Sequence, residues 1–143
     1  MRKRSNTHNA RLTLTVGAYR YFWDDWGITA HTLDLRYRWA LGSAHYLEPH
    51  VRYYWQSAAD FYHTDLRQGE LLPEFATADY RLAEFTGTTL GIKLGWLRTN
   101  GTDRVSARLE VYQQAGKGNP VVPTAYETYP DMTAIMGQFS FTF

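Results

Sequence analysis

The sequence predicts an all-β protein, an antiparallel up-and-down meander of about six strands, and three observations support this fold class. First, apolar and polar residues alternate with a period of two along several segments, as in strands with two different faces. Second, aromatic residues make up 16% of the 143 residues, which is high for an ordinary core of this size. Third, the chain ends on an aromatic residue, Phe143, within such an alternating segment.

The first strand is predicted at about residues 11–22. Its alternate apolar residues are Leu12, Leu14, Val16 and Ala18. The alternation loses its phase near Arg20, where we expect a β-bulge or the edge of a bilayer.

The second and third strands are predicted to form a hairpin through residues 41–45. In each strand apolar and charged residues alternate, and pairing must bring like faces together. The register that does so gives three pairs on the charged face: Arg38–Glu48, Arg36–His50 and Asp34–Arg52. Two of the three pairs are oppositely charged, which supports this register.

The fourth and fifth strands form a second predicted hairpin, because Asn100-Gly101 is the preferred centre of a two-residue type I′ turn. Folding there gives four apolar pairs: Trp96–Val105, Leu94–Ala107, Ile92–Leu109 and Leu90–Val111. The other face then pairs Gly95, Lys93 and Gly91 with Ser106, Arg108 and Glu110. Turn chemistry and face matching agree, although they depend on different residues.

The last strand is predicted at about 133–143, and aromatic residues dominate one of its faces. Outer-membrane β-barrels close with such a strand, one face of which meets lipid while the other meets the lumen. We therefore expect transmembrane strands in the bacterial outer membrane, with the lipid bilayer and lipopolysaccharide as partners. The residues expected to act as a signal to the outer-membrane assembly machinery are Phe139, Phe141 and Phe143.

The lengths of the connections orient this barrel. After the compact connection Trp23–Gly27, short and long connections alternate, and bacterial barrels keep the longer ones outside the cell. Connections 57–78 and 114–131 are therefore predicted to be external. Two aromatic girdles follow, with Trp39 and Trp96 at the periplasmic edge and Trp23, Trp26 and Trp55 at the outer edge.

Composition excludes several other classes. Mean hydropathy is −0.46, and no apolar run approaches the roughly 20 residues of a transmembrane helix, so a helical membrane protein is excluded. Cysteine is absent, which rules out disulfides and thiolate metal sites. The formal net charge of +1 is too balanced to indicate a nucleic-acid partner.

The expected organisation is a single barrel domain preceded by a short tail. Residues 1–10 are predicted to be a disordered or periplasmic segment, and residues 11–143 the C-terminal portion of one outer-membrane β-barrel. Six strands are fewer than the eight of the smallest membrane barrels, and no apolar export signal follows the basic start at Met1. We therefore expect missing N-terminal strands of the same barrel, or other copies of the chain, to complete it.

The charged face is expected to point into the lumen. Its positive charges outnumber its negative charges, so a water-filled pore would favour anions. Alternatively, cross-strand ion pairs fill a narrow barrel that conducts nothing, and this interpretation is preferred. The lumen-facing candidates are Asp34, Arg36, Arg38, Glu48, His50, Arg52, Lys93, Arg108 and Glu110.

Few residues suggest chemistry. A hydroxyl, an imidazole and two carboxylates occur close together at the start of the 57–78 connection, where His63 could act as a base oriented by Asp60 or Asp65. The same three side chains could bind a divalent metal, and Asp24-Asp25 could bridge calcium or magnesium to anionic lipid headgroups. Ordinary loop capping explains both groups more simply. We therefore expect no catalytic residue, cofactor or metal, and a structural or channel role of unknown cargo.

Two alternatives remain from the residues alone. One is a barrel enzyme that uses the loop around His63. The other is a soluble β-barrel that turns its apolar face inward to bind an apolar ligand, because alternation does not say which face is inside.

Three segments resemble the bacterial outer-membrane family catalogued as domain of unknown function 3570. They begin Asp24-Asp-Trp-Gly-Ile-Thr, Val51-Arg-Tyr-Tyr-Trp-Gln and Ala78-Asp-Tyr-Arg-Leu-Ala, and the run Gln56–Tyr62 is fairly specific. With the closing strand they cover most of 12–96 and 133–143, while 97–132 matches only in pattern. The resemblance implies an exported barrel longer than this chain and brings no catalytic or binding residues.

Overall fold

The computed structural model describes residues 14–63, 69, 71, 73–98, 103–117 and 131–143. Six strands account for most of these residues: β1 (Leu14–Trp23), β2 (Thr29–Leu41), β3 (His45–Gln56), β4 (Phe85–Leu97), β5 (Asp103–Gly116) and β6 (Met132–Phe141). A short 3-10 turn at Tyr80–Leu82 precedes β4. Within the described ranges, no helix is long and apolar enough to cross a membrane.

All six strands lie in one antiparallel sheet whose spatial order is the order of the chain. Each strand pairs with its neighbour in sequence, so the predicted all-β up-and-down meander is confirmed. The sheet is not closed, because β1 and β6 lie at its two edges.

Both predicted hairpin registers are confirmed. In the β2–β3 pair, Arg36 lies opposite His50 and Asp34 opposite Arg52. In the β4–β5 pair, all four predicted apolar partners face each other, from Trp96 and Val105 to Leu90 and Val111. The register shifts beyond Trp96, and the Asn100-Gly101 turn itself lies outside the described residues.

The first strand differs from its prediction. Its register with β2 runs without a shift from Leu14 to Trp23, so the bulge expected near Arg20 is absent from the described strand. Val16 and Ala18 lie opposite Arg36 and Asp34 and therefore share the charged face. Three aromatic residues of the strand, Tyr19, Tyr21 and Trp23, occupy the other face, while Phe22 shares the charged face.

The connection before β4 is longer than predicted. A strand was expected to begin directly after residue 78, but β4 begins at Phe85. Asp79 precedes a 3-10 turn instead, and its carboxylate accepts the backbone N–H of Arg81. At the end of β5, the strand continues to Gly116, past the predicted start of the loop at 114, and residues 118–130 lie outside the described part of the chain.

The two faces of the sheet differ in both chemistry and burial. We call the side with the charged candidates the polar face and the side with Leu33, Leu90 and Leu109 the apolar face. On the apolar face, Leu90 is 56% exposed and Leu109 54% exposed. On the polar face, Glu48 and His50 are each only 8% exposed. The sheet therefore shelters its charges and exposes its large apolar side chains.

Candidate functional site

The polar face of β2 to β5 is the candidate site. All nine predicted lumen candidates lie on this face, at alternate positions of four adjacent strands. They include the confirmed partners of the β2–β3 hairpin and Glu48 opposite Lys93 in the β3–β4 pair. The structure therefore brings these residues together: all but Arg52 and His50 take part in ion pairs, and His50 contacts two carboxylates.

His50 is the centre of the network. Its Nε2 lies 3.2 Å from Asp34 Oδ2, and its Nδ1 lies 2.7 Å from Glu110 Oε1. Asp34 also pairs with Arg36 at 3.3 Å. A single imidazole thus joins carboxylates from β2 and β5, two strands that are not neighbours in the sheet.

Glu48 joins a second set of cations to the same network. Its Oε2 accepts a hydrogen bond from Arg38 Nε at 2.8 Å, which realises the third predicted pair. Its Oε1 lies 4.0 Å from a terminal nitrogen of Arg108, whose other terminal nitrogen lies 3.8 Å from Glu110 Oε1. Because the Glu48 side chain is only about 10% exposed, its burial without such partners would be costly.

Tyr46 and Asp103 close the network at the end of the sheet near Trp39 and Trp96, and neither was predicted from the sequence. The Tyr46 hydroxyl donates to Asp103 Oδ2 at 2.7 Å, and the same oxygen accepts from Lys93 Nζ at 2.8 Å. The guanidinium of Arg38 lies 4.0 Å from the centre of the Tyr46 ring. Tyr46 is 1% exposed, the most buried large side chain among the described residues.

Three glycines on the polar face of β4 make these contacts possible. Gly87, Gly91 and Gly95 recur every fourth residue, so they occupy every second position on one face of the strand. A Cβ at Gly91 would lie 2.7 Å from Glu110 Cγ, and one at Gly95 would lie 2.1 Å from Tyr46 Cε1. Side chains of β3 and β5 therefore cross over β4 and touch each other directly.

This glycine row was visible in the sequence as the spacing Gly87-x3-Gly91-x3-Gly95. In a strand, that spacing leaves a shallow channel along one face, which the larger residues of both neighbours can fill. The signal indicated where the face is low, but it did not say which side chains fill it.

The polar face is different near the ends of β1 and β3 that carry Trp23 and Trp55. Arg20, Arg52 and Tyr54 line a cleft of about 250 Å³ there, together with Phe22, Ala30 and Thr32. A second cleft of about 440 Å³ adjoins it and shares Arg52 and Tyr54. The hydroxyl groups of Tyr54 and Tyr112 donate to the side-chain carbonyls of Gln56 and Gln114, each at 2.6 Å.

In the loop considered for hydrolysis or metal binding, the described polar side chains make contacts that stabilise the loop itself. The Ser57 hydroxyl accepts from the backbone N–H of Thr29 at 2.9 Å and donates to the carbonyl of Gly27 at 3.3 Å. Among the described residues, no hydrogen bond joins Asp60 to the imidazole of His63, and no group of three or more His, Asp or Glu side chains could hold a metal. Asp65 lies outside the described residues.

The same loop packs on the turn between β1 and β2. Gly27 has a φ of +76°, and a Cβ there would lie 2.3 Å from Asp60 Oδ1, so glycine is required twice over. Asp24 Oδ1 accepts the backbone N–H groups of Trp26 and Ile28, each at 3.0 Å. This oxygen of Asp24 therefore stabilises the turn, while Asp25 is exposed beside it.

Asp79 is the described acid with the clearest electrostatic shift outside the strands. Arg81 donates to both of its oxygens, with the shortest contact at 2.6 Å from a terminal guanidinium nitrogen. The side-chain hydrogen bonds from Arg81 and the backbone bond from the same residue lower the pKa of Asp79 from 3.8 to about 2. Arg81 is exposed and Asp79 is partly exposed, and their pairing orders the 3-10 turn.

The five tryptophans divide between the two ends of the strands. Trp39 and Trp96 lie near the end of β2 and of β4, while Trp23, Trp26 and Trp55 lie at the opposite end of the sheet. Of these three, Trp55 stacks its ring on His31, with 5.3 Å between the ring centres. The three C-terminal phenylalanines are exposed on the apolar face and form a ladder in which each ring is close to the next: Phe139, Phe141 and Phe143.

Comparison with known proteins gives one result. Neither a curated protein nor a solved structure matches the chain. The family described as "Protein of unknown function (DUF3570)" matches residues 3–143, which extends the resemblance through the segment 97–132. Since the match covers nearly the whole sequence, the chain belongs to the DUF3570 family.

Proposed function

We propose that the six strands cross a bacterial outer membrane as part of a β-barrel, with the apolar face toward lipid and the polar face toward the lumen. The observation that carries this proposal is the inverted burial of the two faces. Charged side chains of a water-soluble protein rarely become buried while a continuous row of Leu, Val and Ile side chains remains exposed. In a bilayer the same arrangement satisfies both faces.

The height of the apolar face supports the proposal. In β3 this face runs from Leu47 to Trp55, eight residue steps, or about 27 Å along the strand at ~3.4 Å per residue. A strand tilted by roughly 40° would then cover about 21 Å along the membrane normal, close to the ~25 Å apolar band of outer-membrane barrels. Tryptophans lie near both limits, as in an aromatic girdle.

A structural role is favoured over a wide channel. In the half of the sheet nearest Trp39 and Trp96, the polar face is covered by Tyr46, the Arg38–Glu48 pair and the Lys93–Asp103 pair. Tyr46 lies over Gly95, and within each of the two ion pairs the opposite charges neutralise each other. These groups would fill the lumen at this level and leave little room for water or solutes.

Channel or transport activity is the second candidate. The specific observation in its favour is the cleft that Arg52 and Tyr54 line in the other half of the polar face. A solute could enter the barrel there, and passage would then require the filled half to rearrange.

The open edges of the sheet define the partners that the proposal requires. β1 and β6 each present backbone N–H and C=O groups along one side, and such groups must be paired inside a bilayer. We propose that further strands of the same barrel, or other copies of the chain, pair with both edges. Lipopolysaccharide would contact the apolar face, and the outer-membrane assembly machinery would recognise the phenylalanine ladder of β6.

The two alternative functions have less support. A soluble barrel with an apolar interior would require the apolar face to be the sheltered one, whereas the charged face is more buried. An enzyme site around His63 would require an orienting carboxylate; of the two candidates, Asp60 packs against Gly27 instead, and Asp65 lies outside the described residues. Substitution of Asp60 and His63 followed by an activity screen would test the enzyme alternative directly.

Neighbouring residues of β2 provide the decisive experiment. Because the chain has no cysteine, single spin labels can be placed at Leu33→Cys on the apolar face and at Thr32→Cys on the polar face. The full-length protein is reconstituted in liposomes, and label accessibility is measured with oxygen and with a water-soluble nickel chelate. We expect the label at residue 33 to be accessible mainly to oxygen and the label at residue 32 mainly to the chelate.

Equal chelate accessibility at both positions would refute the membrane orientation. Recovery of the full-length protein from the cytosol without detergent would refute the membrane location itself.

A further inference from the structure

The positive charge of the polar face is not evenly neutralised. The carboxylates of Asp34, Glu48, Asp103 and Glu110 all participate in the network described above. Within the described ranges, no carboxylate lies within ion-pairing distance of the guanidinium groups of Arg20 or Arg52. Both of these arginines are exposed, and both line the cleft of about 250 Å³.

The register explains how two arginines come to share one cleft. Arg20 of β1 lies opposite Thr32 of β2, and Thr32 lies opposite Tyr54 of β3. Arg52 is two residues before Tyr54, so both occupy the same face of β3. Arg20 and Arg52 therefore approach Tyr54 from different strands, with the small side chains of Ala30 and Thr32 between them.

Tyr54 gives the cleft an apolar wall. Its hydroxyl is committed to Gln56, and its ring lines both the smaller cleft and the adjoining one of about 440 Å³. Phe22 and Phe85 contribute further aromatic surface, one in each cleft. The hydrogen-bond donors left for a ligand are mainly the two guanidinium groups.

We propose that Arg20, Arg52 and Tyr54 form a binding site for a small organic anion that carries a carboxylate or a phosphate. Guanidinium groups bind these anions through paired, charge-assisted N–H···O bonds, and the low polarity of the aromatic wall strengthens them. The planar or apolar part of the ligand packs against the Tyr54 ring. Arg36 lies in the adjoining cleft, but Asp34 partly neutralises it, so it contributes less.

This inference rests on the proposed function for the position of the site inside a barrel, open toward the outside of the cell. The binding chemistry itself depends only on the three side chains and the cleft. The two proposals can therefore fail separately.

Phenyl phosphate is the probe, because it combines a phosphate with a planar ring. Its binding to the full-length protein is measured by isothermal titration calorimetry in a nonionic detergent at low ionic strength, where charge attraction is least screened. Benzyl alcohol tests the ring without the charge, and inorganic phosphate tests the charge without the ring. We expect phenyl phosphate to bind more tightly than inorganic phosphate, and benzyl alcohol not to bind measurably.

Arginine variants locate the site. Arg52→Gln and Arg20→Gln should each weaken phenyl phosphate binding at least tenfold, while Arg52→Lys should retain part of it. Arg104→Gln is the matched control, because Arg104 is an exposed arginine at the opposite end of the sheet. It should leave the affinity unchanged.

Three results would overturn the proposal: no binding of phenyl phosphate to a correctly folded protein, equal binding of benzyl alcohol, or equal losses in Arg52→Gln and Arg104→Gln. Folding of each variant is checked by its heat-dependent mobility on gels, and Arg20→Gln serves as the second variant if Arg52→Gln does not fold. If the label at residue 33 is accessible mainly to oxygen and phenyl phosphate does not bind, this site is refuted while the membrane proposal stands.

Discussion

Replacement of Gly95 by alanine tests whether the glycine row holds the polar network together. Gly95 has an ordinary strand conformation, so an alanine there is acceptable to the backbone, and only the available space decides the outcome. The new methyl group would lie 2.1 Å from Tyr46 Cε1 and 2.2 Å from Cζ, well inside contact distance. Because Tyr46 is almost fully buried, its ring has little room to move away.

The expected cost follows from what Tyr46 must give up. Overpacking of a buried site costs about 1–3 kcal/mol. If the ring shifts, its 2.7 Å hydrogen bond to Asp103 is also weakened, which adds about 1 kcal/mol. We therefore expect Gly95→Ala to lower the free energy of unfolding by about 2–4 kcal/mol.

Gly137→Ala is the matched control. Gly137 is also a strand glycine, and a Cβ there would meet nothing within 4 Å. This variant should be neutral or gain roughly 0.5 kcal/mol, because alanine has less freedom to lose on folding. Urea unfolding of the full-length protein in micelles, followed by tryptophan fluorescence and by gel mobility, measures both variants.

A double-mutant cycle separates the clash from other effects of alanine. In a Tyr46→Ala background the obstructing ring is gone, so Gly95→Ala should then cost almost nothing. Equal stability of Gly95→Ala and Gly137→Ala, or an unchanged cost without the ring, would refute the idea that Tyr46 crosses β4 at Gly95.

Three further outcomes are expected. Leu109→Arg, near the middle of the apolar face, should cost about 2–4 kcal/mol in the same urea titration, and Gln113→Arg near the end of β5 about 0–1 kcal/mol; equal costs would count against lipid contact. Asp79 has a pKa of about 2, so its contribution to the 3-10 turn is complete above its usual pKa of 3.8 and is lost as the pH falls through 2. Arg81→Gln should return this pKa toward 3.8 in a carboxyl NMR titration, and an unchanged value would show that the Arg81 side chain is not the cause. Deletion of Phe143 should reduce the folded protein recovered from the outer membrane, and an unchanged yield would show that assembly does not depend on it.

The pairing of strands was predictable because the matching of polar and apolar faces constrains both hairpins, and turn chemistry independently constrains the second. Matching the faces of β2 and β3 sets Arg36 opposite His50, since a slip of one residue would place charges on the apolar face. The same matching pairs β4 with β5 without reference to the turn. The alternation of apolar and polar residues therefore suffices to predict the contacts between neighbouring strands.

The phase of β1 was not predictable from alternation. The small residues Val16 and Ala18 are apolar but lie on the polar face, where they leave space beside larger charged groups. The turn decides the phase: Asp24 accepts two backbone N–H groups there, and Trp23 lies opposite Thr29. Hydrophobicity alone therefore predicts the wrong face for Val16 and Ala18.

Contacts across two strands also escaped prediction. Tyr46 of β3 bonds to Asp103 of β5, and His50 bonds to Glu110, only because β4 has no side chain beneath them. Cross-strand rules consider adjacent strands, so they assign Asp103 to a hairpin end and Tyr46 to a strand start. A correct prediction also had to consider that β4 lacks side chains between these residues, which the spacing of its glycines indicates.

The structure also narrows the predicted excess of positive charge to one place. The nine predicted lumen residues contain five arginines and lysines, namely Arg36, Arg38, Arg52, Lys93 and Arg108, against three carboxylates. Asp103 adds a fourth carboxylate through its bond to Lys93, so the remaining excess falls on Arg52. Arg20, which β1 brings to the same cleft, increases that excess. In the proposed barrel, an anion would therefore stop at this cleft, because beyond it the arginine and lysine charges of the network are balanced by carboxylates.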